Sequence, residues 1–182
     1  MFSIGKAKYI AWYAGLIVAV LGAGDLKVPG SITARFVHES LGGGSIGRTR
    51  GNLALNRSRA FRINMQAPYR QRICNYRSGV DVIDYRDQVV VRYDVGSLLD
   101  LMQVLKVAEH VRGNLYRSRY HGFRFKLWVN TKGEVAKLAF RDKQGGSNTV
   151  WFSGIHYNTK PLPSSTFRCK APQSYRVIHG KL

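Results

Sequence analysis

The sequence predicts an α+β domain, with one amphipathic helix packed on a mostly antiparallel sheet. An N-terminal apolar segment and an arginine-rich, glycine-containing irregular arm precede it. Three observations predict this. Runs rich in Val, Ile, Phe and Tyr alternate with turn residues through the second half of the chain. One stretch among them has the apolar spacing of a helix. Ahead of both, residues 34–79 carry nine arginines, no lysine and one acid, Glu39, and keep no strong period. The chain of 182 residues fits one domain plus tails. Its expected division is 1–24, a signal peptide or membrane anchor; 25–79, an Arg-rich arm or linker; and 80–182, the α+β domain.

Taken in order, the first element is the leader. Lys6 and Lys8 precede an uncharged run from Tyr9 to Gly24 that ends in small residues. A helix over that run would span about 24 Å at ~1.5 Å per residue, short of the roughly 30 Å hydrocarbon core. The pattern fits a secretory signal peptide, although no clean Ala-x-Ala is present. An uncleaved anchor with Trp12 and Tyr13 at the headgroups, and a buried core helix, are the alternatives. In the arm, "ITARFVHE" is expected as a short strand. "NLALNRSRAFRINM" is expected as helix or irregular chain, because Arg57 falls among its apolar positions. "VDVIDYRDQVVVRYDV" is expected as one or two strands. "SLLDLMQVLKVAEHVRG" is expected as the helix: Ser97 and Asp100 start it, Leu98, Leu101, Met102, Leu105 and Ala108 form its stripe, and Gly113 stops it. A hairpin follows, with Phe123, Phe125, Leu127 and Val129 on one face and Arg124, Lys126 and Trp128 on the other; Gly133 supplies the turn. "TVWFSGIHY" is a further strand and "SYRVIHG" a final edge strand. The hairpin is similar, over its own length, to the strand–turn–strand of TonB-type carboxy-terminal domains. A strand stands where that family has its second helix, and no Pro-rich spacer follows the leader, so no family is recognised on it.

Charge narrows the function. The chain holds 29 Lys and Arg against 10 Asp and Glu, a formal net charge of +19. Solubility needs a net charge of only about 2–8, so an anionic partner is expected: nucleic acid, acidic glycan or anionic lipid. The expected binding residues are Arg48, Arg50, Arg57, Arg59, Arg62, Arg70, Arg72 and Arg77 in the arm. In the domain they are Arg117, Arg119, Arg124, Lys126 and Trp128. Guanidinium forks onto phosphate or sulfate and aromatic faces stack bases or sugars. The segment "LGGGSIGRTR" has the Gly42-x-Gly44-x-x-Gly47 letters of a dinucleotide loop. No acid lies between Glu39 and Asp81 to hold a ribose, so a hinge is the expected role and no cofactor is expected. Asp81, Asp84 and Asp87 alternate faces in a strand, so pairing with arginines such as Arg86 and Arg92 is expected rather than a metal site.

The resulting expectation is a non-enzymatic, secreted, periplasmic or membrane-tethered basic protein that binds an anionic polymer or surface. One alternative is a secreted basic nuclease or toxin, independent of metal, with His121, His156 and Glu134 as its acid–base candidates beside Lys126. Another is a structural subunit of a larger assembly, with partner protein chains. Cys74 and Cys169 are expected either to pair as one disulfide in an exported chain or to stand as two buried thiols.

Overall fold

The computed structural model of the chain describes residues 26–42, 45–76, 79–94 and 100–180. The leader, Gly44, Arg77, Ser97 and Leu98 lie outside the described residues. Among the described residues twelve strands form a single sheet: β1 (Ser31–Gly42), β2 (Ser45–Asn56), β3 (Phe61–Ala67), β4 (Gln71–Tyr76), β5 (Gly79–Asp84), β6 (Val89–Tyr93), β7 (Glu109–Arg112), β8 (Leu115–Tyr120), β9 (Phe123–Val129), β10 (Val135–Arg141), β11 (Ser147–Asn158) and β12 (Arg176–Gly180). Their order is β12-β6-β5-β4-β3-β2-β1-β11-β10-β9-β8-β7. Two meanders, β1 to β6 and β7 to β11, therefore grow outward in opposite directions from a central seam. At that seam β1 runs antiparallel to β11, from Ser31 opposite Asn158 to Leu41 opposite Ser147. All pairings are antiparallel except that of edge strand β12 with β6.

This overturns the α+β expectation. The helix expected from Ser97 to Arg112 is one short helix, α1 (Leu101–Lys106), capped by Asp100, whose side chain accepts from the Met102 and Gln103 amides. The residues after Lys106 leave the helix because they have a strand to pair with: Glu109 lies opposite Arg117 and His110 opposite Tyr116. Gly113, with φ +54°, turns this hairpin instead of ending a helix. Tertiary pairing outweighs a favourable local apolar stripe here.

The irregular arm is corrected as well. Residues 31–76 form β1 to β4, because their pattern has period 2. In β2, Ile46, Arg48, Arg50, Asn52 and Ala54 share one face, and Leu53 and Leu55 share the other. Arg57, which interrupts a helical stripe, lies between β2 and β3.

One face of the sheet carries the core. Ile32, Phe125, Leu127, Val135 and Leu138 are buried there against Leu26 and against Met102, Val104 and Leu105 of α1. Leu53, Leu55, Phe123, Phe140, Val150, Phe152 and Tyr157 extend it. The opposite, outer face is covered over β2 to β4 by the segment between β11 and β12. That segment is held by Asn56, whose side chain donates to Leu162 O at 3.0 Å and accepts from Leu162 N at 2.9 Å. A short 3-10 turn (Ser164–Phe167) buries Phe167 beside β3. Cys74, fully buried on β4, is bonded to Cys169, with Cα atoms 6.1 Å apart. Of the two expected states of the cysteines, the disulfide is the one present.

The turn from β5 to β6 rests on a carboxylate. Asp84 accepts from Gln71 Nε2 at 2.6 Å and from the Arg86 and Asp87 amides at 2.9 and 3.1 Å. The Gln71 bond, then the Asp87 amide, hold its carboxyl below the ordinary aspartate value. A folded pKa below the unfolded one means that this contribution to stability is present above the ordinary value and is lost as pH falls through the lowered one. A carboxyl NMR titration is expected to place the Asp84 midpoint below that of an unfolded-state aspartate. Asp84→Asn is expected to remove this part of the acid lability. A midpoint at or above the ordinary value would refute the assignment.

Candidate polyanion interface

The outer face of β8 to β11 is not covered by the C-terminal segment. Strand pairing fixes what it displays. Arg117 lies directly opposite Lys126, and Arg119 directly opposite Arg124. All four side chains are exposed, while Tyr116, Phe125 and Leu127 between them point into the core. Like charges directly opposite on neighbouring strands destabilise a sheet, and here two such pairs stand side by side. No ion pair to any of the four is present among the described residues. The nearest acid in register is Glu109, opposite Arg117 on the other side.

These side chains line a groove of about 1330 Å³ together with Arg141, Lys143, Glu109, Asp142 and residues of the β8–β9 and β10–β11 turns; Val107 and, from the core side of the strands, Phe123, Phe125 and Phe140 complete its lining. Six cations thus face two acids. Asp142 is already engaged: it accepts from the Gln144 and Gly146 amides at 3.0 and 2.7 Å and from Asn148 Nδ2 at 3.2 Å. The groove combines guanidinium donors and a net positive charge with an apolar part of its wall. Such a surface can bind sulfate, phosphate or carboxylate groups spaced along a polymer or across a surface.

The other expected binding residues are dispersed. Arg48 pairs with Glu39 at 3.6 Å on the exposed face of β2, and Arg50 is exposed on the same face. Arg57 is structural, donating to Pro29 O at 3.2 Å and to Val28 O. Arg59, at φ +68°, pairs with Asp100 at 3.5 Å and so ties the β2–β3 turn to the cap of α1. Arg62 is half-buried opposite Cys74, and its Nε has no hydrogen-bond partner among the described residues. Arg70 and Arg72 stand 5.2 and 5.8 Å from the Tyr85 ring centroid, and Arg72 also donates to Asn64. Arg77 is outside the described residues. Trp128 shares the outer face with Lys126, but Lys137 Nζ already lies 4.6 Å from its ring centroid and 5.7 Å from that of Trp151.

The acid–base candidates do not all come together: His121 lies at the end of the sheet away from Glu134 and His156. His121, at φ +47°, sits in the β8–β9 turn against Tyr120, with ring centroids 4.2 Å apart. Glu134 is in the β9–β10 turn, hydrogen-bonded by Asn130 at 2.8 Å. The two turns are at opposite ends of β9, about 20 Å apart at ~3.3 Å per residue. His156 faces Thr33 near the seam. Among the carboxylates of the expected strand, Asp81 makes a buried two-point pair with Arg92 at 2.9 and 3.2 Å, and no cluster of metal-ligating residues occurs among the described residues. The glycine loop is a hairpin connection. Gly42 ends β1 opposite Ser45 of β2, and a strand rather than a helix follows.

Sequence reasoning missed Arg141 and Lys143. The signal for Arg141 is the alternation Lys137, Ala139, Arg141 along the outer face of β10; Lys143, in the turn after it, has no such signal.

No protein-family model and no curated protein matches the sequence. Solved structures are similar to it to differing degrees. An uncharacterized conserved protein from Thermus thermophilus is 12% identical, over 84% of this chain and 92% of its own, with a TM-score of 0.53. A LolA superfamily protein from Nitrosomonas europaea is 12% identical over 81% and 94%, at 0.43. A putative outer membrane lipoprotein-sorting protein domain from Vibrio parahaemolyticus is 9% identical over 76% and 89%, at 0.40. The first likeness is one of fold alone, and the other two are too loose to carry anything further.

Proposed function

We propose that the protein is exported and binds an anionic polymer or surface, without catalysis, through the outer face of β8 to β11. The observation that carries this is the pair of facing like-charge contacts, Arg117 with Lys126 and Arg119 with Arg124, lining one groove with no ion-pair partners among the described residues. A sheet that accepts such repulsion gains it back when an anion sits between the cations. Export is supported by the Cys74–Cys169 disulfide, since such bonds persist in oxidising compartments, and by the basic front and apolar run of the leader. Among the described residues no helix is long and apolar enough to cross a membrane.

Heparin titrations at several salt concentrations test this reading. Binding is expected to weaken steeply with salt, with about one unit of log–log slope per anion neutralised. Nucleic acid of equal charge density is expected to bind with similar steepness, because the groove reads charge rather than bases. Binding that ignores salt, or no binding to heparin, nucleic acid or anionic vesicles, would sink the proposal.

A further inference from the structure

The turn end of the same face carries an apolar feature that a soluble polyanion does not need. Leu41 and Ile46 lie directly opposite each other at the end of the β1–β2 hairpin. They are 54% and 74% exposed. Single exposed aliphatics are ordinary, but these two form a cross-strand pair that packs on nothing in the core. Their row continues across the sheet. Leu41 is opposite Ser147 on β11, and Ser147 is opposite Arg141 on β10. Beyond Arg141 come the turn-proximal cations of the groove, Arg124 and Arg119. With strands ~4.8 Å apart, the row from Ile46 to Arg119 spans about 25 Å. Its near end is aliphatic and its far end guanidinium, all on one face and at one end of the strands.

That arrangement complements a bilayer surface of negative charge. Aliphatic side chains insert below the headgroups, while cations beside them stay level with lipid phosphates. A glycan or nucleic acid would engage the cations and leave Leu41 and Ile46 in water. We propose that the β1–β2 hairpin tip is a membrane-docking element that inserts Leu41 and Ile46 into an anionic lipid bilayer while Arg141, Arg124 and Arg119 hold the headgroups. The proposal rests on the polyanion-binding reading of the groove and names the surface that the groove meets.

The test uses the full chain with Ile46→Cys carrying an environment-sensitive fluorophore. Both native cysteines are disulfide-bonded, so the label goes to one site. The comparison is the same label on Lys132→Cys, in the β9–β10 turn at the other end of the sheet. Adding phosphatidylglycerol–phosphatidylcholine vesicles is expected to raise emission at position 46 several-fold with a blue shift, and to leave position 132 unchanged. Pure phosphatidylcholine vesicles are expected to give little response. In the unlabelled chain, Leu41→Ser with Ile46→Ser is expected to lower affinity for the anionic vesicles at least tenfold while heparin binding is kept. A silent label at position 46, or an equal response at both positions, overturns the docking. Salt-sensitive heparin binding with a silent label overturns the docking alone. Loss of heparin and vesicle binding together overturns the polyanion reading as well.

Discussion

Arg119→Gln combined with Arg124→Gln is expected to weaken heparin binding by about 30-fold near 0.1 M salt and to stabilise the fold at the same time. The binding loss follows from roughly 1 kcal/mol per cation at an anionic surface. Losing two such contacts is also expected to flatten the salt dependence by about two units. The gain in stability has a separate origin. The two guanidiniums lie directly opposite each other on β8 and β9, both exposed, and relieving a facing like-charge pair contributes about 0.2–1 kcal/mol. Arg119→Glu with Arg124→Glu is expected to go further in binding, because two anions would then repel the polymer. Thermal unfolding and heparin titration of the same samples read both effects. The opposed signs make the prediction specific. A residue pair with a purely structural role would lose stability on neutralisation, and a mere solvated face would lose neither binding nor salt slope. Arg57→Gln gives the contrast: Arg57 donates to Pro29 and Val28 carbonyls, so it is expected to destabilise and to leave heparin binding unchanged.

The parts of the groove that local sequence discloses are those where alternation is uninterrupted. In β9, Phe123, Phe125 and Leu127 alternate strictly with Arg124, Lys126 and Trp128, and Gly133, at φ +76°, marks the turn that follows. That stretch states its own two faces. Arg117-Ser118-Arg119 in β8 and Arg48-Thr49-Arg50 in β2 are equally regular, with two arginines on one strand face. The same R-x-R letters at Arg57-Ser58-Arg59 fall in a turn, so the triplet cannot by itself assign a strand. Two features had no local signal. The seam between β1 and β11 joins residues more than a hundred positions apart, and this pairing decides which faces of the two meanders are continuous. The conversion of Glu109–Arg112 from helix to strand depends on β8 being available to pair with. The apolar stripe from Leu101 to Ala108 is real, since Met102, Leu105 and Ala108 are buried. A six-residue helix followed by chain entering the hairpin buries them as well as a long helix would.

Removing the disulfide is expected to have the largest effect on stability. Cys74 and Cys169 are 95 positions apart, and closing a loop of that size constrains the unfolded chain by about 4–5 kcal/mol in the chain-entropy account, with 2–5 kcal/mol the usual measured loss in small secreted domains. Cys74→Ala with Cys169→Ala is therefore expected to lower Tm by roughly 10 °C, at about 2–4 °C per kcal/mol for a chain of this size. Where the loss appears is as informative as its size. The bond fastens the segment after β11 to β4, alongside the Asn56 clamp on Leu162 and the buried Phe167. The groove of β8 to β11 lies on the other side of the seam and shares none of these contacts. Hydrogen exchange is expected to quicken in β3, β4 and the 159–175 segment, while β8 to β10 keep their protection up to global unfolding. Heparin affinity measured well below Tm is expected to stay within about twofold, since distant, independent sites contribute additively. If the groove lost affinity along with the bond, the two halves of the sheet would be mechanically coupled, and the cationic face would depend on the covering segment as well as on its own strands. If exchange quickened uniformly, the disulfide would act on the whole sheet rather than on the cover it fastens.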